Sequence, residues 1–308
     1  MNTSTGSPGA LTLAAFTAAV LLGGGNFVAV RFSNRELAPF WGAGLRFALA
    51  AAIFVVMAMV LRLQWPRGRQ LRLTVLYGLF AFAIPYALMY WALVRVTAGM
   101  ATVVLAVVPL LAPLLAAGQR LEPLSLRTSW GGLLSLGGIV WMTVGAEGVV
   151  LPWTGLLAML AAALAFGQSV IFGKRVSGNH PVMTNAVGMP VGAAALLGLS
   201  AVVGEEWLLP RQSEALWSVA YLVTLGSVGL FVLFLLVMRR WTVSATSYAF
   251  VLFPVMTMLL EAWLVSEPFT VRGVSGALVV MAGVWFGALA PHRRVRGSGT
   301  RPNLLFGR

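Results

Sequence analysis

Ten apolar stretches follow one another through this chain, separated only by short charged or turn-rich interruptions. They cover residues 11–30, 39–61, 73–94, 98–117, 129–146, 152–172, 182–203, 215–238, 243–265 and 272–290. A helix needs about 20 mostly apolar residues, rising 1.5 Å each, to cross about 30 Å of hydrocarbon. Breakers and charges bound the stretches, among them Asn34-Arg35-Glu36, Trp65-Pro66-Arg67-Gly68-Arg69, Gly178-Asn179-His180-Pro181 and Glu205-Glu206. Only 9% of the residues are charged, against about 25% in a soluble domain. The expected fold is therefore all-α, a polytopic membrane protein with ten transmembrane helices. The first run is longer than a signal-peptide core of about 7–15 residues, so it is read as a retained span.

The net charge of +13 comes from twenty Arg and one Lys set against eight Glu and no Asp. These cations sit in clusters between the apolar runs, where anionic headgroups would meet them. A nucleic-acid partner is not expected. With the N-terminus placed in the cytoplasm, fifteen Lys/Arg fall on cytoplasmic segments and five on outer loops. Arg46 lies inside a span. The positive-inside bias predicts both termini inside, an even number of spans, and a bacterial inner membrane. Without Cys there is no disulfide framework or thiolate metal site, and His180 and His292 fall outside the apolar runs. No cofactor, metal or enzymatic constellation is expected. Gly167 to Gly173-Lys174 imitates a phosphate loop, but its spacing is one residue too long and Arg175 stands in place of Ser/Thr.

Aligning residues 95–138 with 240–283 at an offset of 145 gives twelve identities in 44 positions, including Arg95/Arg240, Pro109/Pro254, Glu122/Glu267, Pro123/Pro268 and Arg127/Arg272. Ordinary composition would give roughly 3–4. At an offset of 142, Gly25-Asn26 meets Gly167-Gln168 and Pro39 meets Pro181. Each half holds five spans, an odd number, so the second half inserts upside down. Two inverted five-helix repeats around a central cavity are an architecture of alternating-access carriers. The expected division is residues 1–10 as a cytoplasmic segment, 11–147 and 148–291 as the repeats, and 292–308 as a basic cytoplasmic tail.

On Gly25-Asn26, Pro39 with Arg46, Pro109, Glu122-Pro123, Pro254 and Glu267-Pro268, the chain resembles the drug/metabolite transporter superfamily. The likeness is to its ten-helix EamA-type members over roughly residues 11–290, and among them most to the bacterial aromatic amino-acid exporters. The resemblance implies efflux from the cytoplasm through a cavity open to one side at a time.

Polar groups in hydrocarbon are costly and mark candidate sites. Asn26 and Gln168 are amides at equivalent repeat positions; facing the midline, they would hydrogen-bond a substrate, or else link helices. Phe82, Tyr86 and Tyr90, spaced i, i+4, i+8, share one helical face and are read as a cavity wall, with Phe166 and Tyr248 as further members. Helix packing is the competing reading. Trp41, Trp65, Trp91, Trp153 and Trp217 lie near span ends and read as interface anchors. Arg46 and Glu261 are intramembrane ions in the outer third, read as a gate pair or as snorkelling side chains. Pro109 and Pro254 are candidate hinges, and Pro85, Pro113 and Pro190 also interrupt spans. Glu122 and Glu267 read as acids near the positive ends of the helices they precede. The expected function is export of small metabolites, neutral and aromatic amino acids included. The alternative is proton-coupled export of lipophilic cationic drugs, which usually requires an embedded carboxylate. The partners are a small-molecule substrate and the bilayer; these features leave the oligomeric state open, and a monomer is compatible with them.

Overall fold

The computed structural model describes residues 9–93, 104–143, 153–264 and 271–289. Within them the apolar stretches form helices, named here α1 to α10. They are α1 (Ala10–Ser33), α2 (Pro39–Val60), α3 (68–93), α4 (Val108–Gly118), α5 (Leu126–Thr143), α6 (Trp153–Arg175), α7 (Pro181–Val203), α8 (Ser213–Arg240), α9 (Val243–Ser247 then Ala249–Leu264) and α10 (Val271–Val284 then Trp285–Leu289). Outward faces carry large apolar side chains such as Val60, Leu126, Val202 and Leu278, all exposed. A hydrocarbon solvent accepts such a surface where water would not.

Helices α3 and α8 begin at Gly68 and Ser213, earlier than the apolar stretches predict. The reason is physical: Arg69 and Arg72 end the apolar run without ending the helix, since arginine is a good helix former and its head reaches the headgroup zone. Hydropathy marks the edge of the hydrocarbon, not the last helical turn.

The contacts obey a pseudo-twofold. Helix α2 packs on α7 and α5 on α10; α1 packs on α8 and α9, as α6 packs on α3 and α4; α2 touches α8 as α7 touches α3. Equivalent helices run antiparallel. Phe40 and Trp41 meet Glu205 while Gly44 meets Leu197 further along α7. Gly131 faces Gly287 while Gly138 faces Gly276. The repeats are therefore inverted. Glycine makes the α5–α10 approach possible: a Cβ on Gly131 would fall 2.5 Å from Gly287 Cα, so only a residue without one fits this seam.

The symmetry extends to backbone defects. A π-helical turn, Leu79–Ala83, interrupts α3, and another, Thr224–Gly229, interrupts α8. Both begin 145 residues apart, at the repeat offset. In α3 the cause is Pro85, which has no N–H to bond the carbonyl four residues back. In α8 no proline follows; Gly226 and Gly229 supply the loose backbone. The other prolines behave unequally. Pro113, Pro190 and Pro254 lie inside continuous helix, contrary to the interruption expected of them. Pro109 sits in the first turn of α4, just after a break at Ala106-Val107. The break in α9 falls at Tyr248, before Pro254.

Carboxylates tie the repeats together. Glu205 accepts the N–H groups of Phe40 and Trp41, and Glu36 those of Arg211 and Gln212. Glu122 accepts those of Val243 and Ser244. Each therefore places its charge at the positive end of a helix in the other repeat. For Glu122 this corrects the expectation: it caps α9, not the α5 it precedes, because helix packing brings the α9 terminus to it. Glu267 lies outside the described residues.

Candidate functional site

The first-repeat polar groups converge on the π turn of α8. Asn26 Nδ2 donates to the Gly226 carbonyl at 3.0 Å. Arg46 Nη2 donates to the same oxygen at 2.8 Å, and its Nε donates to Ser227 Oγ at 2.8 Å. A π turn widens the helical ring and leaves carbonyls less committed to their own helix, so Gly226 can take two outside donors. A Cβ at Gly226 would fall 1.9 Å from Asn26 Oδ1, so glycine is required for this approach. Arg46 is 2% exposed and lies over the rings of Phe47 and Tyr86, at 5.0 and 5.7 Å from their centroids. It does not snorkel. Its head turns inward, where two acceptors and two π faces offset part of the cost of burial. The side chain of its expected gate partner, Glu261, lies outside the described residues.

The structure brings most of the expected aromatic residues into one buried cluster. Tyr86 lies 6.4 Å from Tyr90 and 5.8 Å from Phe166, centroid to centroid. Phe82 meets Phe47 at 5.2 Å and Phe231 at 4.7 Å. The structure adds residues that sequence reasoning missed. Phe47 contacts Tyr86 edge-on at 4.7 Å, and Phe250 joins Phe166 at 5.2 Å and Phe253 at 5.5 Å. Phe231 was detectable, because at an offset of 145 it is the counterpart of Tyr86. The cluster draws rings from α2, α3, α6, α8 and α9, so both repeats supply it.

Other candidates lie elsewhere. Tyr248 is fully buried, donates to the Thr128 carbonyl at 2.7 Å, and presses on Gly131 and Gly287. It locks the α9 break to the α5–α10 seam. Gln168 exchanges hydrogen bonds with Gln119. Asn26 and Gln168 are each seven residues from the C-terminal end of α1 or α6. Those two ends lie at opposite ends of the molecule, which separates the amides by roughly 15 Å along the helix axes. They do not share one small ligand; inversion itself sets them apart. Trp41 is also not a lipid anchor: it is buried, stacked 4.7 Å from Trp207, and donates to the Leu208 carbonyl. Trp65, Trp153 and Trp217 are exposed as anchors should be.

Two features have no counterpart in the sequence reading. Asn185, fully buried in α7, has neither side-chain atom hydrogen-bonded; an Asn inside an apolar run was the available signal. An apolar cleft of about 400 Å³ between α1, α9 and α10 is lined by Phe16, Leu252, Met256 and Leu278, among others. It contains none of the candidate residues.

The site is chemically lopsided. Where α2 carries Arg46 against the α8 π turn, the equivalent position in α7 is Gly188, packed on Tyr77 and Gly78 at the α3 π turn. One interface is cationic and polar; its symmetry mate is closed by small and aromatic groups.

Ten helices among the described residues, arranged in inverted repeats with buried polar groups at a helix discontinuity between the halves, suit a membrane transporter. The chain belongs to the EamA-like transporter family, whose pattern matches residues 10–144 and again 153–288. It is a transporter and not an enzyme. It is 28% identical, over 86% of its length and 91% of the relative's, to a Salmonella typhimurium protein named "Probable amino-acid metabolite efflux pump". It is 24% identical over 84% of its length to an "Uncharacterized transporter" of Archaeoglobus fulgidus, covering 92% of that protein. A solved crystal structure shares the fold at a TM-score of 0.77 and 21% identity, over 91% of this chain and 99% of that one.

Proposed function

We propose that the protein exports small metabolites, neutral and aromatic amino acids among them, by alternating access between residues 11–147 and 148–291. The observation that carries this reading is the aromatic cluster built by both repeats, with Arg46 beside Tyr86 at its edge. A relative named as an amino-acid metabolite efflux pump supports the substrate class. Phe82, Tyr86, Tyr90 and Phe166 form the wall; Asn26 and Gln168 are polar contacts on opposite halves of the path. The breaks before Pro109 and at Tyr248, six residues before Pro254, are the hinges. The Lys/Arg excess on one set of loops supports an inner-membrane setting with both termini cytoplasmic. Export of lipophilic cations is disfavoured by a fixed positive charge beside the wall. Flux of labelled phenylalanine, threonine and a lipophilic cation into proteoliposomes tests the reading. Uptake of the amino acids without the cation is the expected result; cation flux alone overturns it.

A further inference from the structure

Arg46 has five N–H donors, of which Nε and one on Nη2 meet neutral acceptors. The Tyr86 hydroxyl also lies within hydrogen-bonding reach of Arg46, and no carboxylate pairs with it among the described residues. A guanidinium this deep, 2% exposed, without a counter-ion costs several kcal/mol in a low-dielectric setting. Beside it, on the same Gly226, Asn26 Oδ1 is buried and accepts no hydrogen bond. A buried cation lacking a counter-ion thus adjoins an acceptor lacking a donor, next to the aromatic rings of Phe47 and Tyr86.

We infer that Arg46 is the anchor for a carboxylate on the transported substrate. The inference rests on the carrier reading and narrows it to organic carboxylates and zwitterions. The free face of the guanidinium takes the carboxylate, a pairing its planar fork suits better than an ammonium would. The α8 π turn holds the fork in place through Gly226 and Ser227, so the site belongs to α2 of one repeat and α8 of the other. A carboxylate arriving there supplies the counter-charge, which gives the substrate a differential affinity for the state in which α2 and α8 are docked. Asn26 Oδ1 is the complementary acceptor for an α-ammonium, after rotation of the amide. The repeat mate of this interface, with Gly188 at the Arg46 position, offers no such charge, so the anchor lies on one of the two symmetry-related interfaces and not on both.

Three phenyl compounds separate the groups: phenylalanine with both charges, phenylpropionate with only the carboxylate, and phenethylamine with only the ammonium. Binding is read in detergent by thermal stabilisation of the wild-type full chain, and flux in proteoliposomes. Phenylalanine and phenylpropionate should stabilise the protein and compete for flux, and phenethylamine should do neither. In R46Q the affinity for both carboxylates should fall about 10- to 100-fold, the range for a hydrogen bond to a charged group. R46K should retain part of it. Competition on the wild type needs no variant, so a misfolded R46Q leaves the test intact. If phenethylamine competes as well as phenylalanine while phenylpropionate does not, the anchor assignment is overturned. If phenylalanine is transported and R46Q, folded by its elution profile, binds it unchanged, the assignment also fails while the carrier reading stands. If phenylpropionate binds through Arg46 and nothing is transported, the carrier reading fails and the carboxylate site stands.

Discussion

Glu205 lies in the loop after α7, yet its carboxylate caps a helix of the other repeat. It accepts the Phe40 N–H at 3.1 Å and the Trp41 N–H at 2.7 Å, and the Ser200 hydroxyl donates to it at 2.7 Å. Trp207 in turn donates to Ser200 and stacks on Trp41. In Glu205→Gln one oxygen remains to accept, the charge is gone, and one backbone donor at the half-buried start of α2 loses its partner. A hydrogen bond to a charged group contributes about 1.5–3 kcal/mol and a neutral one about 0.5–1.5 kcal/mol; the helix-end charge adds about 0.3–1 kcal/mol. The expected loss is about 2–3 kcal/mol for Glu205→Gln, and about 1 kcal/mol more for Glu205→Ala. The neighbouring Glu206 is exposed and makes no hydrogen bond among the described residues, so Glu206→Gln should change stability by less than about 0.5 kcal/mol. Tryptophan fluorescence during unfolding in mixed detergent micelles measures all three. Equal effects at 205 and 206, or none at either, would refute the cross-repeat cap.

Gly226→Ala should abolish most transport while the protein remains folded, because the new Cβ collides with Asn26 Oδ1; flux and size-exclusion profiles on the same preparation check it. Tyr248→Phe should cost about 0.5–1.5 kcal/mol by removing its hydrogen bond to the Thr128 carbonyl and leave the order of substrate preference unchanged, as read by competition. Arg62 and Arg120 hold left-handed backbone at φ 50 and 55, at helix ends where glycine is favoured. Arg62→Gly and Arg120→Gly should each raise stability, by about 0.5–1 kcal/mol in the same unfolding assay.

The helices and their pairing were legible because the bilayer admits few solutions: a run of apolar residues must satisfy its own backbone, so it is a helix. The repeat, with its five spans in each half, then predicted inversion, and the Gly131–Gly287 and Gly138–Gly276 contacts display it. Phe82, Tyr86 and Tyr90 were legible as one aromatic face because side chains at helical spacing share a face; Phe166, on α6, meets them through helix packing. What stayed hidden depended on long-range pairing. Nothing in the neighbourhood of Glu122 says that its partner is the start of α9, nor does anything near Arg46 point to a carbonyl 180 residues away. The α3 π turn was signalled by Pro85; the α8 π turn had no proline to announce it, and with it went the reason Gly226 accepts two donors.

Alternating access between the halves has a direct test in this chain, which has no cysteine. Arg35 of the first repeat pairs with Glu214 of the second at 2.9 Å, linking the two repeats at one end of the molecule. With cysteines at both positions and a reducible bis-thiol reagent joining them, phenylalanine flux in proteoliposomes should fall to background and return on reduction. Single-cysteine controls should be unaffected. Transport at the full rate through the bridged protein would contradict the rocking of one repeat against the other.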